Sequence, residues 1–279
     1  MILIADSGST KTQWCLLQGH ELVNEIYTDG INPYYQTETE ITEMLKTQIF
    51  PLFEDVSAVY FYGAGCALPD KKQTLANAVR VGYPQAKLVI ESDLLAVARG
   101  LLGHESGIAC ILGTGSNSCV YDGKEIVENV APLGFILGDE GSGAALGKKL
   151  IADLLKNQLP ENLRKHFFDF YKFSYAEILD AVYKQAFPNR YLAQFSRFIY
   201  EHIHEPALRQ LVRTSFEEFI HRNVHQYDYQ KYKIVFAGSV AYYFREILCE
   251  VATNLGLQID AIETGPMSGL IKYHAEEAV

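Results

Sequence analysis

Short apolar runs alternate with turn signals over the first thirty residues. An apolar run that reaches Asp6 is followed by a small-residue turn, the run QWCLLQ, a turn at Gly19-His20 and the run ELVNEIY. Runs of this length bounded by glycine and polar residues are typical of strands joined by hairpins. The pattern predicts a meander of antiparallel strands at the start of the chain.

Strand-like and helix-like patterns alternate after the meander. The runs SAVYFYGAG and AKLVIES have the character of buried strands. Apolar positions at helical spacing occur in ETEITEMLKTQIFPLF, KKQTLANAVRVGY and DLLAVARGLL, the last of which opens with Asp93. Hairpins followed by this alternation predict an α/β fold, with a mixed sheet and helices on its faces.

The segment IACILGTGSNSCVYDGKEIVEN, residues 108–129, repeats the plan of the first meander. Strand KIVFAGSV, helix YYFREILCEVATNL, strand LQIDAIE and a last helix from about Pro266 follow later in the chain. Internal repetition of this kind predicts a duplicated, two-lobed chain. We expect a first lobe of residues 1–105 joined by the C-terminal helix 266–279, and a second lobe of residues 106–265.

Residues 141–226 have a helical pattern rich in Phe, Tyr, Leu and His. Breaks are expected near Pro160, Pro188 and Pro206, because proline lacks the N–H that a helix interior needs. The pattern predicts a helical insertion in the second lobe.

Composition narrows the class of protein. Of 279 residues, 48% are hydrophobic and 21% are charged, which indicates a folded protein with enough apolar material for two cores. The net charge of −10 and the lack of a basic run argue against nucleic acid or an acidic membrane as partner. The chain starts without a basic region and long apolar stretch, and its five cysteines are dispersed, so we expect no signal peptide and a cytoplasmic protein.

Two small-residue turns are candidates for phosphate contact. Such a turn can leave backbone N–H groups unpaired with hydroxyls beside them, and two turns can hold a polyphosphate from both lobes. The residues concerned are Gly8, Ser9, Thr10 and Lys11 in the first turn, and Gly113, Thr114, Gly115 and Ser116 in the second. Asp6, just before the first turn, would lie within reach of a phosphate-bound Mg²⁺. The alternative is a tight hairpin in which Asp6 accepts hydrogen bonds from turn amides.

Two strand-to-helix junctions carry further candidates. Gly238-Ser239 could offer a backbone shelf for a nucleoside, although many such junctions contain these residues. Asp93 is a candidate general base, since it could direct a carboxylate into a cleft. The residues alone leave a second interpretation open for Asp93, that of a helix-capping acid.

The motifs DSGSTKT, ESDLLAVARG, GTGSNS, GDEGSG and AGSV resemble those of the N-acetylglucosamine kinase group within the BadF/BadG/BcrA/BcrD ATPase family. The resemblance implies an actin-like (ribonuclease H-like) duplicated two-lobe ATPase fold that binds ATP with Mg²⁺. It implies that Asp93 takes the proton from the sugar hydroxyl. The sugar contacts that it implies are Asn32, Gly65, Asn117, Gly134 and Asp139, with Gly134 lying where the family kinases often carry an aromatic residue.

We therefore expect an ATP-dependent kinase that acts on a hydroxyl of an amino sugar, with N-acetylglucosamine as the first candidate. A homodimer is the assembly to test. Two alternatives stay open: an ATPase that activates a redox partner and a nucleotide-dependent sugar sensor without turnover. Activators of the first kind hold an iron–sulfur cluster with cysteines, and no paired cysteine motif occurs here. The chain also lacks GxxxxGK[ST], which excludes a P-loop.

Overall fold

The computed structural model describes residues 1–8 and 10–277. Its strands are β1 Ile2–Ser7, β2 Lys11–Gln18, β3 Glu21–Asp29, β4 Ala58–Gly63, β5 Lys87–Ser92, β6 Gly107–Leu112, β7 Ser116–Tyr121, β8 Ile126–Val130, β9 Lys233–Ala237 and β10 Ala261–Glu263. Its helices are α1 Glu38–Gln48, α2 Pro69–Arg80, α3 Asp93–Leu102, α4 Gly134–Leu137, α5 Gly143–Leu155, α6 Glu161–Tyr171, α7 Tyr175–Tyr183, α8 Pro188–Ala193, α9 Ser196–Glu201, α10 Pro206–Arg222, α11 Ser239–Tyr243, α12 Arg245–Asn254 and α13 Met267–Glu277.

The chain divides into two compact units. The first contains Met1–Glu105, Tyr121–Ile126 and the C-terminal segment that begins at Gly265. The second contains Ser106–Val120 and Val127–Thr264. The turn of the β7–β8 hairpin thus belongs to the first unit by its contacts.

The sheet of the first unit has the order β3-β2-β1-β4-β5 among the described residues. Strand β1 runs antiparallel to β2 and parallel to β4, and β4 runs parallel to β5. The register sets Asp6 beside Tyr62 and Tyr62 beside Glu91. The carboxyl ends of β1, β4 and β5 therefore lie at one edge of the sheet.

Each face of this sheet has its own apolar core. One cluster joins sheet residues such as Trp14 and Phe61 to Leu45 of α1 and Leu75 of α2. The other joins strand residues to α3 and α13, which contact each other. A Cβ on Gly269 would overlap the carbonyl oxygen of Gly100, so these two helices depend on glycine for their close approach.

The sheet of the second unit has the order β10-β9-β6-β7-β8, which is the plan of the first sheet with β6 in the place of β1. Strand β9 runs parallel to both β6 and β10. The predicted α/β architecture with two related halves is confirmed.

Helices α5 to α10 occur along the chain between α4 and β9, as the predicted helical insertion requires. Helix α6 starts directly after Pro160, α8 starts at Pro188 and α10 starts at Pro206. Proline suits a first helical turn, where its missing N–H has no partner to lose. A large core containing Phe167, Phe195, Phe198, Phe216 and Phe219 holds these helices together. No helix among residues 1–8 and 10–277 is long and apolar enough to cross a membrane.

Candidate active site

Asp6 and Asp93 both lie at the carboxyl edge of the first sheet. Asp6 is the penultimate residue of β1, and Asp93 follows the last residue of β5 directly. Burial raises the pKa of Asp6 to about 7, the nearby charge of Asp93 raises it as well, and Lys11 partly opposes the rise. Burial likewise raises the pKa of Asp93 to about 6. Two neighbouring aspartates whose ionised forms are both destabilised by burial are typical of functional sites.

The cap of α3 is Ser92 and not Asp93. The Ser92 hydroxyl accepts the Leu95 N–H at 3.2 Å, while Asp93 Oδ1 accepts the N–H of the adjacent Leu94 at 2.9 Å. Because a neighbouring serine already performs the capping, the interpretation of Asp93 as a structural helix cap loses its main support.

The first turn is closed by its own backbone. Gly8 N–H donates to the Lys11 carbonyl at 3.0 Å. The sequence predicted that this amide would be unpaired, and that prediction is wrong for Gly8. Below the turn, the buried Ser7 and Thr12 hydroxyls lie 2.7 Å apart, and Ser7 accepts from the Ile31 N–H at 2.9 Å. Ser9 lies outside the described residues, and Lys11 is exposed with Nζ 4.8 Å from the centre of the Tyr27 ring.

Asn32 and Gly65, two of the expected sugar contacts, lie against each other. Gly65 has φ +79°, and a Cβ there would overlap Asn32 Oδ1. Asn32 is buried, its N–H donates to Gln36 Oε1 at 2.7 Å, and its Oδ1 accepts the Tyr34 N–H at 2.9 Å. Glycine at position 65 is therefore what lets this amide side chain lie next to the turn after β4.

The second turn is bound to the segment GDEGSG. Gly113 N–H donates to the Gly115 carbonyl at 2.9 Å, which closes the turn as in the first unit. The Gly113 carbonyl accepts the Gly143 N–H at 2.8 Å. Asp139 Oδ1 accepts the Ser116 N–H at 3.2 Å.

Asp139 itself is buried and strained. Its φ of +57° lies in the left-handed region, which a non-glycine residue adopts at a cost. Burial raises the pKa of its carboxyl to about 6, the Ser116 N–H opposes this, and Glu140 adds to the rise. Glu140 pairs with Arg222 at 2.7 Å, so the two adjacent acids have different surroundings.

Gly238 packs on the second turn. With φ +113°, it precedes the short helix α11, and a Cβ on it would overlap the Leu112 carbonyl oxygen. Its N–H donates to the Glu263 carbonyl at 3.0 Å. The structure thus brings Gly238 and Ser239 together with Gly113, Thr114, Gly115 and Ser116 inside the second unit.

The remaining expected sugar contacts have different surroundings. Asn117 Oδ1 accepts from its neighbour Ser118 N–H at 2.9 Å and from Asn129 Nδ2 at 3.0 Å. Gly134 is exposed with φ +74°, and the exposed Leu133 before it has φ +62°. Two residues of these surroundings were not predicted from the sequence: Asn129, which donates to Asn117 Oδ1, and Gln36, which accepts the Asn32 N–H. The hairpin pairing of β7 with β8 could have indicated Asn129, whereas no sequence signal marks Gln36.

Two sheets of matching order, each with a glycine turn after its central strand, define the actin-like ATPase class of fold. A candidate N-acetylglucosamine kinase from Chromobacterium violaceum, 17% identical over 98% of both chains, shares the fold with a TM-score of 0.75. A candidate N-acetylglucosamine kinase from Porphyromonas gingivalis is 46% identical over the whole of both chains, with a TM-score of 0.96. The chain belongs to the N-acetylglucosamine kinase family of sugar kinases, as its motifs predicted.

A curated relative supports the same assignment. The N-acetylmuramic acid/N-acetylglucosamine kinase of Clostridium acetobutylicum is 26% identical over 209 residues, which cover 70% of this chain and 68% of that protein. No family model matches the sequence.

Proposed function

We propose that this chain transfers the γ-phosphoryl group of ATP to a hydroxyl of N-acetylglucosamine or a closely related amino sugar. The observation that carries the proposal is the environment of the Asp93 carboxylate. Asp93 directly follows β5, burial raises its pKa, and Ser92 rather than Asp93 caps helix α3. The 46% identity to a candidate N-acetylglucosamine kinase supports the amino sugar as acceptor.

Asp93 acts as the general base in this mechanism. As the sugar oxygen attacks the γ-phosphorus, its proton passes to the Asp93 carboxylate, and ADP leaves with the electrons of the broken bond. Phosphoryl transfer leaves little covalent work to the protein, so positioning and charge stabilisation supply most of the rate. A carboxyl pKa near 6 keeps Asp93 mostly ionised at neutral pH while making it a better proton acceptor than an ordinary aspartate.

Mg²⁺ and ATP are the cofactors that we propose. The partly buried Asp6 carboxylate fits a divalent cation, since burial and the charge of Asp93 both raise the pKa of Asp6 and a cation would relieve that cost. Bound Mg²⁺ would neutralise charge on the phosphate oxygens. We assign phosphate contacts to the two glycine turns and the nucleoside to Gly238 and Ser239.

The sugar is assigned to the polar groups around the two turns. Asn32, Asn117 and Asp139 present amide and carboxylate groups that can pair with sugar hydroxyls, and Gly65 makes room for the Asn32 side chain. A site that pairs with hydroxyls rejects ligands that lack them, because its buried polar groups are then left unpaired. We assign Gly134 to the same site and place the protein in the cytoplasm, where its five free cysteines would stay reduced.

An ADP-release assay with a panel of sugars tests the proposal. We expect N-acetylglucosamine to stimulate ADP release strongly and glucose, which lacks the acetamido group, to do so weakly. Omission of Mg²⁺ should stop the reaction. ATP binding without ADP release in the presence of any amino sugar would instead support a sensor.

A further inference from the structure

A cavity of about 350 Å³ lies within the first unit, apart from the Asp93 side chain. The end of β5, the start of α2, one side of α3 and the turn between β7 and β8 form its walls. Its polar lining consists of Lys72, Glu91, Ser92, Arg99, Lys124 and Glu125. This volume is in the range of small-molecule sites, and the proposed reaction uses none of these side chains.

The charges in the cavity do not balance. Lys72 Nζ lies 2.6 Å from Glu91 Oε2, so this pair is neutral overall. Arg99 and Lys124 have no carboxylate within ion-pair distance anywhere in residues 1–8 and 10–277. Glu125 is the remaining acid of the lining, which leaves an excess of one positive charge.

Arg99 is a half-buried cation whose recorded hydrogen-bond partners are uncharged. Its guanidinium donates to the Tyr62 hydroxyl at 3.0 Å and to the Lys124 carbonyl at 3.5 Å. Its buried Nε–H has no acceptor among the described residues. Arginines removed from water are normally paired with an acid, because desolvating a lone charge is costly. A half-buried arginine without an acidic partner on a cavity wall therefore indicates an anionic ligand.

We propose that this cavity binds a small molecule through a phosphate group, with Arg99 and Lys124 as the cationic contacts. Arginine suits phosphate because its planar fork donates two parallel hydrogen bonds. The Ser92 hydroxyl already accepts the Leu95 N–H, so its O–H can donate to the same group. The carboxylates of Glu91 and Glu125 can accept from hydroxyls of a sugar that carries the phosphate. Ser92 directly precedes Asp93 and Leu95 lies two residues after it, so a ligand here contacts the start of the helix that carries the proposed base.

Calorimetric titration of the full chain tests the site without turnover. The probes are N-acetylglucosamine 6-phosphate, glucose 6-phosphate and inorganic phosphate, each added in EDTA with N-acetylglucosamine and AMPPNP present to fill the proposed active site. We expect saturable binding of at least one probe. A sugar phosphate that binds more tightly than inorganic phosphate identifies the ligand as a phosphorylated sugar, and equal affinities identify the phosphate group alone.

Two variants locate the binding. Arg99→Gln and Lys124→Gln should each weaken it on the order of tenfold, the usual value of a charge-assisted hydrogen bond. Lys124 is exposed on a turn, so its variant should fold even where Arg99→Gln does not. Arg80→Gln is the control, since Arg80 is exposed on α2 and donates to the Pro84 carbonyl. No binding of any probe, or binding unchanged in both variants, overturns the site.

The same titrations separate this proposal from the kinase assignment. If N-acetylglucosamine and AMPPNP fail to bind in titrations of their own, the kinase assignment fails. The phosphate site is then judged on the Arg99 and Lys124 variants as before.

Discussion

Replacing Asp93 with asparagine should have opposite effects on activity and on stability. Asparagine has nearly the same shape, and its Oδ1 can keep the bond from the Leu94 N–H. Ser92 continues to cap α3, so the helix start does not depend on the carboxylate. The substitution therefore removes the charge and the proton acceptor while leaving the local packing in place.

The loss of activity follows from the role of a general base. Proton transfer to a positioned side chain contributes about 10²–10⁴-fold to a rate, and we expect sugar-dependent ADP release to fall by that order. ATP affinity should stay within about twofold of the wild type, because we assign no nucleotide contact to Asp93.

The gain in stability follows from the raised pKa. The carboxyl titrates near 6 in the fold against 3.8 in the unfolded chain, so the native state binds its proton more tightly between these values. The contribution of Asp93 to the stability of the wild type consequently falls as pH rises through this window and levels off above it. A shift of about two units corresponds to at most about 3 kcal/mol. Asparagine avoids this cost, so the variant should be more stable above pH 6 and equal to the wild type below pH 4.

Thermal unfolding in EDTA at several pH values, together with ADP release at neutral pH, provides the measurement. Asp70→Asn is a matched control, because Asp70 lies in the first turn of α2 and is exposed. Normal turnover by Asp93→Asn would refute the role as base. Loss of turnover accompanied by a lower Tm at neutral pH would refute the argument that burial penalises the charge.

Three further substitutions test the rest of the site. Asp6→Asn should abolish the Mg²⁺ dependence of ADP release and lower its rate at least 10²-fold; an unchanged Mg²⁺ titration would contradict the assignment. Asp139→Asn should raise KM for the sugar with little change in KM for ATP, as initial rates can show, and equal effects on both would argue against a sugar contact. Gly238→Ala should weaken nucleotide binding and lower stability by more than about 1 kcal/mol, because φ +113° and the Leu112 carbonyl both exclude a Cβ. Gly19→Ala, where φ is +61° but nothing lies within 4 Å, is its control in the same melts and titrations.

Much of the architecture could be predicted because local patterns determine it. The hairpins around Gly19 follow from alternating apolar runs, and α3 begins at Asp93, where the helical spacing of the sequence begins. Helices α8 and α10 start at Pro188 and Pro206, two of the predicted breaks, because proline is tolerated in the first turn of a helix and not in its interior. One predicted helix, YYFREILCEVATNL, is instead two helices, α11 and α12, which meet at Phe244.

Contacts between distant residues could not be predicted in this way. Gly65 lies beside Asn32, and Gly238 lies against the Leu112 carbonyl, through tertiary contacts that local patterns do not encode. The sequence suggested unpaired turn amides, whereas Gly8 N–H pairs inside its own hairpin. Whether a small-residue turn keeps its N–H groups free depends on the register of the strands that follow, which composition does not determine.

The motifs GTGSN and GDEGSG occur together for a reason that becomes visible only in the fold. A Cβ on Gly115 would lie 3.1 Å from Asp139 Oδ2, so the glycine makes room for that carboxylate. Asp139 in turn holds the Ser116 N–H, and the Gly143 and Ala144 N–H groups donate to the carbonyls of Gly113 and Thr114. The two segments thus form one hydrogen-bonded unit despite their separation in sequence. A change in one of these two segments therefore disturbs the other. For this reason the two motifs together indicate this site more specifically than either motif alone.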